Sequence, residues 1–304
     1  MRKKKIQENY AIAVPALFCC LLWGSAFPCI KIGYEWFGIE DAGSRILFAG
    51  VRFFLAGLMT IALFIVREKH FPFINRSSVP AVAGQGLLQT SVQYFLFYLG
   101  LANTTGARGA VIVGANAFFS ILAAKLLLKE ESLNKYKIGG CIIGFAGVIM
   151  VNLTPKGISG TFSWNGEGLV LLSAVAYGLS NVTVKMIAKR ERTDVITAYQ
   201  LLIGGAALIL TGCVFGGTMG AFTWKSGILF FYMALLSTVA FSIWAMLLKN
   251  NPVSKVTPYG FSNPLFGTLL SGIFLGENIF TWRSFAALGL VSMGIIFVNF
   301  EKKG

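Results

Sequence analysis

Gln85, Gln89 and Gln93 recur every fourth residue in GQGLLQTSVQYF, a run otherwise apolar enough to lie in a bilayer. On an unbroken helix they form a polar stripe about 12 Å long. A primary amide brings two donors and a carbonyl acceptor, and hydrocarbon satisfies none of them, so the stripe must face a cavity or another helix. Cavity lining is the preferred reading, because spaced amides suit a zwitterionic or polar cargo. The alternative is interhelical hydrogen bonding, worth about 0.6 kcal/mol per bond.

Trp23 and Phe27 fall on one helical face of the first apolar span, and Tyr177 and Asn181 fall at matching places in the sixth. Such aromatics suit the apolar part of a substrate, although membrane helices also use aromatics for packing and interfacial anchoring. Trp244 and Tyr94 are weaker candidates of the same kind. Asn116 and Asn263 occupy equivalent places in the fourth and ninth spans, either as a symmetric pair of substrate contacts or as structural bonds. Ser120, one turn beyond Asn116, shares its face. Pro28 and Pro264 are candidate hinges, since proline removes one helix bond and frees the carbonyl four residues earlier, at Gly24 and Gly260. A fixed bend is the other reading of each.

Charge inside the spans is sparse. Arg52 and Lys125 lie within apolar runs, with Lys31 and Lys185 near ends, and snorkelling of the head group to water is preferred for all four. Glu130 and Glu277 fall at turns, as solvated or salt-bridged groups. No Asp or Glu sits in the middle of a span, which favours uniport or exchange over proton or sodium coupling, although backbone carbonyls can also hold an ion. The sole histidine, His70, lies in a polar loop. Cys19, Cys20, Cys29, Cys141 and Cys213 lie in apolar spans without CxxC spacing, so buried thiols are expected, with no disulfide framework, metal site or cofactor. No nucleophile with a base partner is visible, which argues against an enzyme.

These residues hang on an apolar scaffold. The chain has 304 residues, 56% hydrophobic and 12% charged, with mean hydropathy +0.72. A soluble domain carries about a quarter charged residues. Ten apolar stretches, approximately 10–32, 45–66, 79–101, 108–128, 137–153, 166–186, 195–216, 227–248, 256–276 and 281–300, each approach the roughly 20 residues that cross a hydrocarbon core. The net charge of +14 sits in short clusters between spans, which fits a membrane surface and not nucleic acid. MRKKK before the first apolar run resembles a signal peptide, but cleavage would remove a span that has a counterpart in the second half.

That counterpart belongs to an internal repeat. NAFFSILAAKLLLKEESLNKYKIGGCIIGFAGVIMVN, residues 116–152, recurs without a gap as NPLFGTLLSGIFLGENIFTWRSFAALGLVSMGIIFVN, residues 263–299, so Asn116/Asn263, Phe119/Phe266, Glu130/Glu277 and Gly147/Gly294 lie 147 positions apart. Trp23, Gly24 and Lys31 match Tyr177, Gly178 and Lys185 at an offset of 154. Gly140/Gly144, Gly212/Gly216 and Gly272/Gly276 make GxxxG, read as close helix packing. With the amino terminus inside, roughly eighteen Lys/Arg fall on the cytoplasmic side against about six outside, and both termini are cytoplasmic. Five spans per half then invert the second half in the membrane, the arrangement of many secondary transporters.

WGSAF in the first span, RFFLAG in the second, the KEE turn after the fourth and the GE turn after the ninth resemble the drug/metabolite transporter superfamily, EamA-type. The resemblance spans essentially the whole chain. It implies an all-α integral membrane protein of ten transmembrane helices, in two inverted five-helix repeats (10–153 and 166–300) around a central cavity. It also implies transport, commonly export, of amino acids or other small metabolites across the cytoplasmic membrane. The expected partners are a small-molecule substrate and the lipid bilayer. Rival readings are a transporter of a phosphorylated or nucleotide-linked metabolite, which would want several basic groups in the cavity, a channel, and a membrane-embedded lipid-modifying enzyme.

Overall fold

Backbone amides in a long apolar run have no water to bond, so the run satisfies them internally as helix. The computed structural model of the protein describes residues 2–104, 109, 112–128, 134–152, 162–275 and 282–298, and every regular element among them is helical. In chain order these are α1 (Arg2–Phe37), α2 (Ala42–Glu68), α3 (Val79–Gln85), α4 (Gln93–Ala102), α5 (Asn116–Leu127) and α6 (Lys135–Asn152). Then come α7 (Leu169–Ile187), α8 (Thr193–Val214), α9 (Trp224–Asn250), the single turn α10 (Val253–Val256), α11 (Ser262–Leu275) and α12 (Trp282–Val298). A π-helical turn, Gly86–Val92, joins α3 to α4, and a second, Trp164–Gly168, leads into α7.

Five segments, Tyr10–Phe37, Ala42–Glu68, Trp164–Ile187, Thr193–Val214 and Trp224–Asn250, are long and apolar enough to cross a membrane. Ile112–Leu127 and Phe285–Val298 are shorter apolar helices. Leu126, Val214, Ile273 and Phe285 point outward, as side chains bathed in hydrocarbon do.

The helix ends are set by local chemistry. Asp41 caps α2, accepting from the Ser44 amide (2.8 Å) and the Ser44 hydroxyl (2.5 Å), and these bonds hold its carboxyl below the usual range. Thr223 and Ser226 close a reciprocal capping box on α9. Gly38 and Gly216, at φ +62 and +72, take the left-handed conformation just past α1 and α8. Gly216 is therefore a turn residue, and only Gly212 of that expected GxxxG packs closely, against Leu47 of α2.

Helices then pair where small residues let backbones approach. A Cβ at Gly205 of α8 would lie 2.5 Å from the Phe54 amide nitrogen of α2, and one at Gly50 of α2 would lie 2.6 Å from the Ile209 nitrogen of α8. The α6–α12 contact is built in the same way on Gly140, Gly144, Gly147 and Gly294. α1 packs on α9 and α11, while α7 packs on α4 and α5. At the crossings, Gly24 meets Phe266 and Gly178 meets Phe119, so the glycines and the phenylalanines are each equivalent in the duplicated sequence.

At one end of the α2–α8 pair, Arg67 and Arg192 bridge Glu68 and Asp194 at 2.6–3.0 Å, and Arg192 also lies over the Phe64 ring. Asp194 and then Glu68 hold the Arg192 guanidinium protonated more firmly than an ordinary arginine. All four side chains keep water contact, so the network adds little stability. Arg192→Ala is expected to lower the melting temperature in detergent only marginally. That shift should vanish between about 0.01 and 1 M salt, as the Debye length falls from roughly 30 to 3 Å.

Two sequence expectations change here. Pro264 does not interrupt a span: the chain forms a 3-10 turn, Thr257–Phe261, and α11 starts at Ser262, placing Pro264 in a first turn where its missing N–H costs nothing. Pro28 does lie inside α1, which runs through it. Cys213 is exposed on the outer face of α8, whereas Cys19, Cys20 and Cys141 are buried and Cys29 is half-buried. Glu130, Glu277, Gly276 and Asn299 lie outside the described residues.

Candidate functional site

Helices α1, α2, α4, α5, α7, α9 and α11 converge on a cavity of about 150 Å³. Its apolar wall is aromatic. Trp23 stands edge-on to Phe241 (5.6 Å between centroids) and Trp244 (5.1 Å), and Tyr94 leans on Phe53 at 4.5 Å. Phe27 and Tyr177 complete that side.

The polar groups of the wall divide into two kinds. Ser173, Ser237 and Thr257 donate their hydroxyls to the carbonyls of Val170, Met233 and Val253, one turn back in the chain, at 2.7, 3.0 and 3.0 Å. The Trp23 Nε1, the Arg52 Nε and Nη1, the Gln93 Oε1 and the Oδ1 atoms of Asn116 and Asn263 are buried and have no hydrogen-bond partner among the described residues. Buried polar atoms are nearly always paired, and each one left alone costs about 1–3 kcal/mol. Five such residues line one space.

Of the expected site residues, Trp23, Phe27, Gln93, Asn116, Tyr177 and Asn263 therefore meet at one cavity, together with Pro264. Gln85 and Gln89 do not. The Gln85 Nε2 donates to the Gln89 Oε1 at 2.6 Å, and the Thr183 hydroxyl of α7 donates to the Gln85 Oε1. The reason is the π turn between α3 and α4, in which the Gln93 amide bonds the Leu88 carbonyl five residues back. The wider turn rotates Gln93 away from the face that Gln85 and Gln89 share, so fourfold spacing no longer means one stripe.

Asn181 also leaves the cavity wall. It is buried, accepts from the Trp244 Nε1 at 3.0 Å and donates to the Ser120 Oγ at 2.9 Å, and Ser120 in turn donates to the Asn116 carbonyl at 2.7 Å. α5, α7 and α9 are tied at this point. Pro28 is buried in α1 one residue beyond Phe27, outside the cavity lining.

Arg52 is the residue that sequence reasoning misplaced. It lies ten residues into α2, is 3% exposed, and its guanidinium carbon sits 4.3 Å from the centroid of the Phe53 ring while facing the cavity. Snorkelling needs a route from the head group to bulk water, and this side chain turns inward instead. Its mid-span position was the available signal. Lys125 is exposed, and Lys185 donates to the Leu248 carbonyl (3.1 Å) and the Asn251 carbonyl (2.6 Å), capping the end of α9.

A second cavity, of about 810 Å³, is lined by Ser78, Gln85, Thr183, Lys185, Lys189 and Arg190 among others. Along α3–α4, Gln89 separates its residues from those of the first cavity, and along α7 Asn181 does the same. The Gln85–Gln89–Thr183 and Ser120–Asn181–Trp244 bonds thus form a polar plug between the two spaces.

The EamA-like transporter family matches residues 11–153 and again residues 164–300. The chain is 27% identical over 289 residues to the Uncharacterized transporter YvbV of Bacillus subtilis, covering 94% of this chain and 90% of that one. It is also 27% identical over 291 residues to the Uncharacterized inner membrane transporter YedA of Escherichia coli, with the same coverage of 94% and 90%. A solved crystal structure 17% identical in sequence superposes with a TM-score of 0.80 over 95% of this chain and 98% of that one, a likeness of fold.

Proposed function

We infer what this chain does from one premise: it belongs to the EamA-like transporter family. It is a multi-pass membrane protein and a membrane transporter. We propose that it is a secondary transporter of the cytoplasmic membrane that moves a small polar metabolite, an amino acid or a related compound, outward by alternating access. Ten spans in two inverted halves, with both termini cytoplasmic, are part of this reading. Its support is the doubled sequence and the reciprocal crossings Gly24–Phe266 and Gly178–Phe119.

The observation that carries the reading is the set of unpaired buried polar atoms around one cavity, contributed by helices from both halves of the chain. The cargo bonds these atoms, the aromatic wall takes its apolar part, and the plug beyond Gln89 and Asn181 closes the path on the cytoplasmic side. Opening that side requires the plug to break while another barrier forms. A single arginine in a cavity of about 150 Å³ speaks against a nucleotide-linked cargo, since pockets for drug-sized ligands run to roughly 300–1,000 Å³.

The test is counterflow. Purified protein in liposomes preloaded with a panel of unlabelled metabolites should accumulate the matching labelled compound saturably, and Asn116→Ala and Asn263→Ala should each weaken half-saturation by roughly tenfold, the cost of one lost bond in a dry site. Unsaturable flux would point to a channel, and a turned-over lipid product to an enzyme. Unchanged half-saturation in both variants would remove the asparagines from the path.

A further inference from the structure

The transporter reading leaves open what chemical group selects the cargo, and the cavity contains one residue whose requirement is specific. We propose that Arg52 is the acid-recognising residue of this transporter, so that a cargo must present a carboxylate or an equivalent anionic group to it. The proposal rests on the transporter reading and narrows it.

Three observations carry it. Arg52 is 3% exposed and lines the cavity, and its Nε and Nη1 have no hydrogen-bond partner among the described residues. None of the ion pairs among the described residues involves Arg52, and no Asp or Glu lines the cavity. The guanidinium lies over the face of Phe53, a contact that neutralises no charge. A guanidinium taken out of water calls for a counter-charge. Its fork of donors matches the two oxygens of a carboxylate, with geometry that a lysine ammonium does not supply.

The other unpaired atoms say what the rest of the cargo should carry. Trp23 Nε1 is a further donor, whereas Gln93 Oε1, Asn116 Oδ1 and Asn263 Oδ1 are acceptors with nothing to accept. Acceptors call for N–H or O–H groups, so an acid that also bears an ammonium or hydroxyl fits better than a plain carboxylate. Ser173, Ser237 and Thr257 have their hydroxyl hydrogens directed to their own backbones, which adds acceptor character to the same walls.

The experiment compares acids with their neutral twins. Flux of L-alanine, L-threonine and L-phenylalanine, of their carboxamides and of the corresponding amines lacking the carboxyl group is measured in liposomes with the full-length wild type, Arg52→Lys and Arg52→Gln, each first checked for an unchanged elution profile and melting curve. The wild type is expected to prefer at least one acid over its carboxamide by roughly a hundredfold or more, as sites built around a buried charged partner do. Arg52→Gln should abolish that preference, and Arg52→Lys should keep part of it, since the charge remains while the fork is lost. Equal transport of acid and carboxamide by the wild type overturns the proposal, as does an undiminished preference in Arg52→Gln. Wild-type selectivity alone decides if that variant does not fold. Carriage of the amines but not the acids would sink the proposal while leaving the transporter reading intact. Flux of no panel member by the wild type would count against both.

Discussion

Gly294→Val is expected to be among the most damaging single changes in the chain, and Gly289→Ala on the same helix among the mildest. A Cβ at Gly294 would lie 2.5 Å from the Gly144 nitrogen and 2.7 Å from the Gly140 carbonyl oxygen, both backbone atoms that no rotamer change can move aside. α6 and α12 would have to separate along the seam, and overpacking of this kind costs about 1–3 kcal/mol or more. The seam also excludes lipid by close backbone contact, which is the attraction available to helices that gain nothing from hydrophobic burial against each other. At Gly289 nothing lies within 4 Å of the added carbon, so alanine there brings only the gain in helix propensity, up to about 1 kcal/mol. Thermal unfolding of the two variants in one detergent measures the difference. Equal melting temperatures would mean that the α6–α12 contact is not part of the folded protein's stability.

Asn181→Ala is expected to loosen the plug between the two cavities. The substitution leaves the Trp244 Nε1 buried without an acceptor and the Ser120 hydroxyl without its donor, for a cost of about 1–3 kcal/mol. If that cost falls on the closed plug and not on its open form, the open population rises by roughly tenfold for each 1.4 kcal/mol. A cysteine placed at Ser173 in a cysteine-free background reports on this, because it lies on the wall of the first cavity. Its labelling by an impermeant maleimide supplied from the side of Lys189 and Arg190 should accelerate by about that factor in the Asn181→Ala variant. An unchanged rate, with an unchanged melting temperature, would show that the bonds merely hold α7 to α9.

How far the sequence could be read is clearest at the glutamines. Their spacing implied a single stripe, and a regular helix would have obeyed it, but the chain makes a π turn at Gly86–Val92, where Gly86 and Thr90 pack on Gln200 and Gly204 of α8, a contact between distant parts of the chain. Local pattern carries no record of such a neighbour. Arg52 failed for a related reason: whether a mid-span cation turns toward water or toward the interior depends on which face of α2 meets α8, and that is fixed by Gly50 and Gly57 against their partners. By contrast, the apolar runs, the close-packing role of Gly140 and Gly144 and the convergence of Trp23, Tyr177, Asn116 and Asn263 on one place were legible, because composition and duplication carry them directly. Asn181 sits between these cases. Its need for partners could be read from an amide in an apolar run, but that the partners would be Trp244 and Ser120, and not a cargo, required the packing of three helices.

Among the described residues, the side chains lining the first cavity include no Asp, Glu, His or Lys. The wall so described therefore has no carboxylate, imidazole or ammonium to take up and release a proton near neutrality as the path turns from one face to the other. On the proposed reading, that wall offers no such side chain for coupling the cargo to a proton. For a cargo that crosses with no coupling ion and whose charges cancel, the membrane potential performs no net work either, so the sign of the flow would follow the compound's own gradient. On this view outward movement is a property of the cell's metabolism, as in an overflow valve, and the same molecule would fill a starved cell as readily as it drains a sated one.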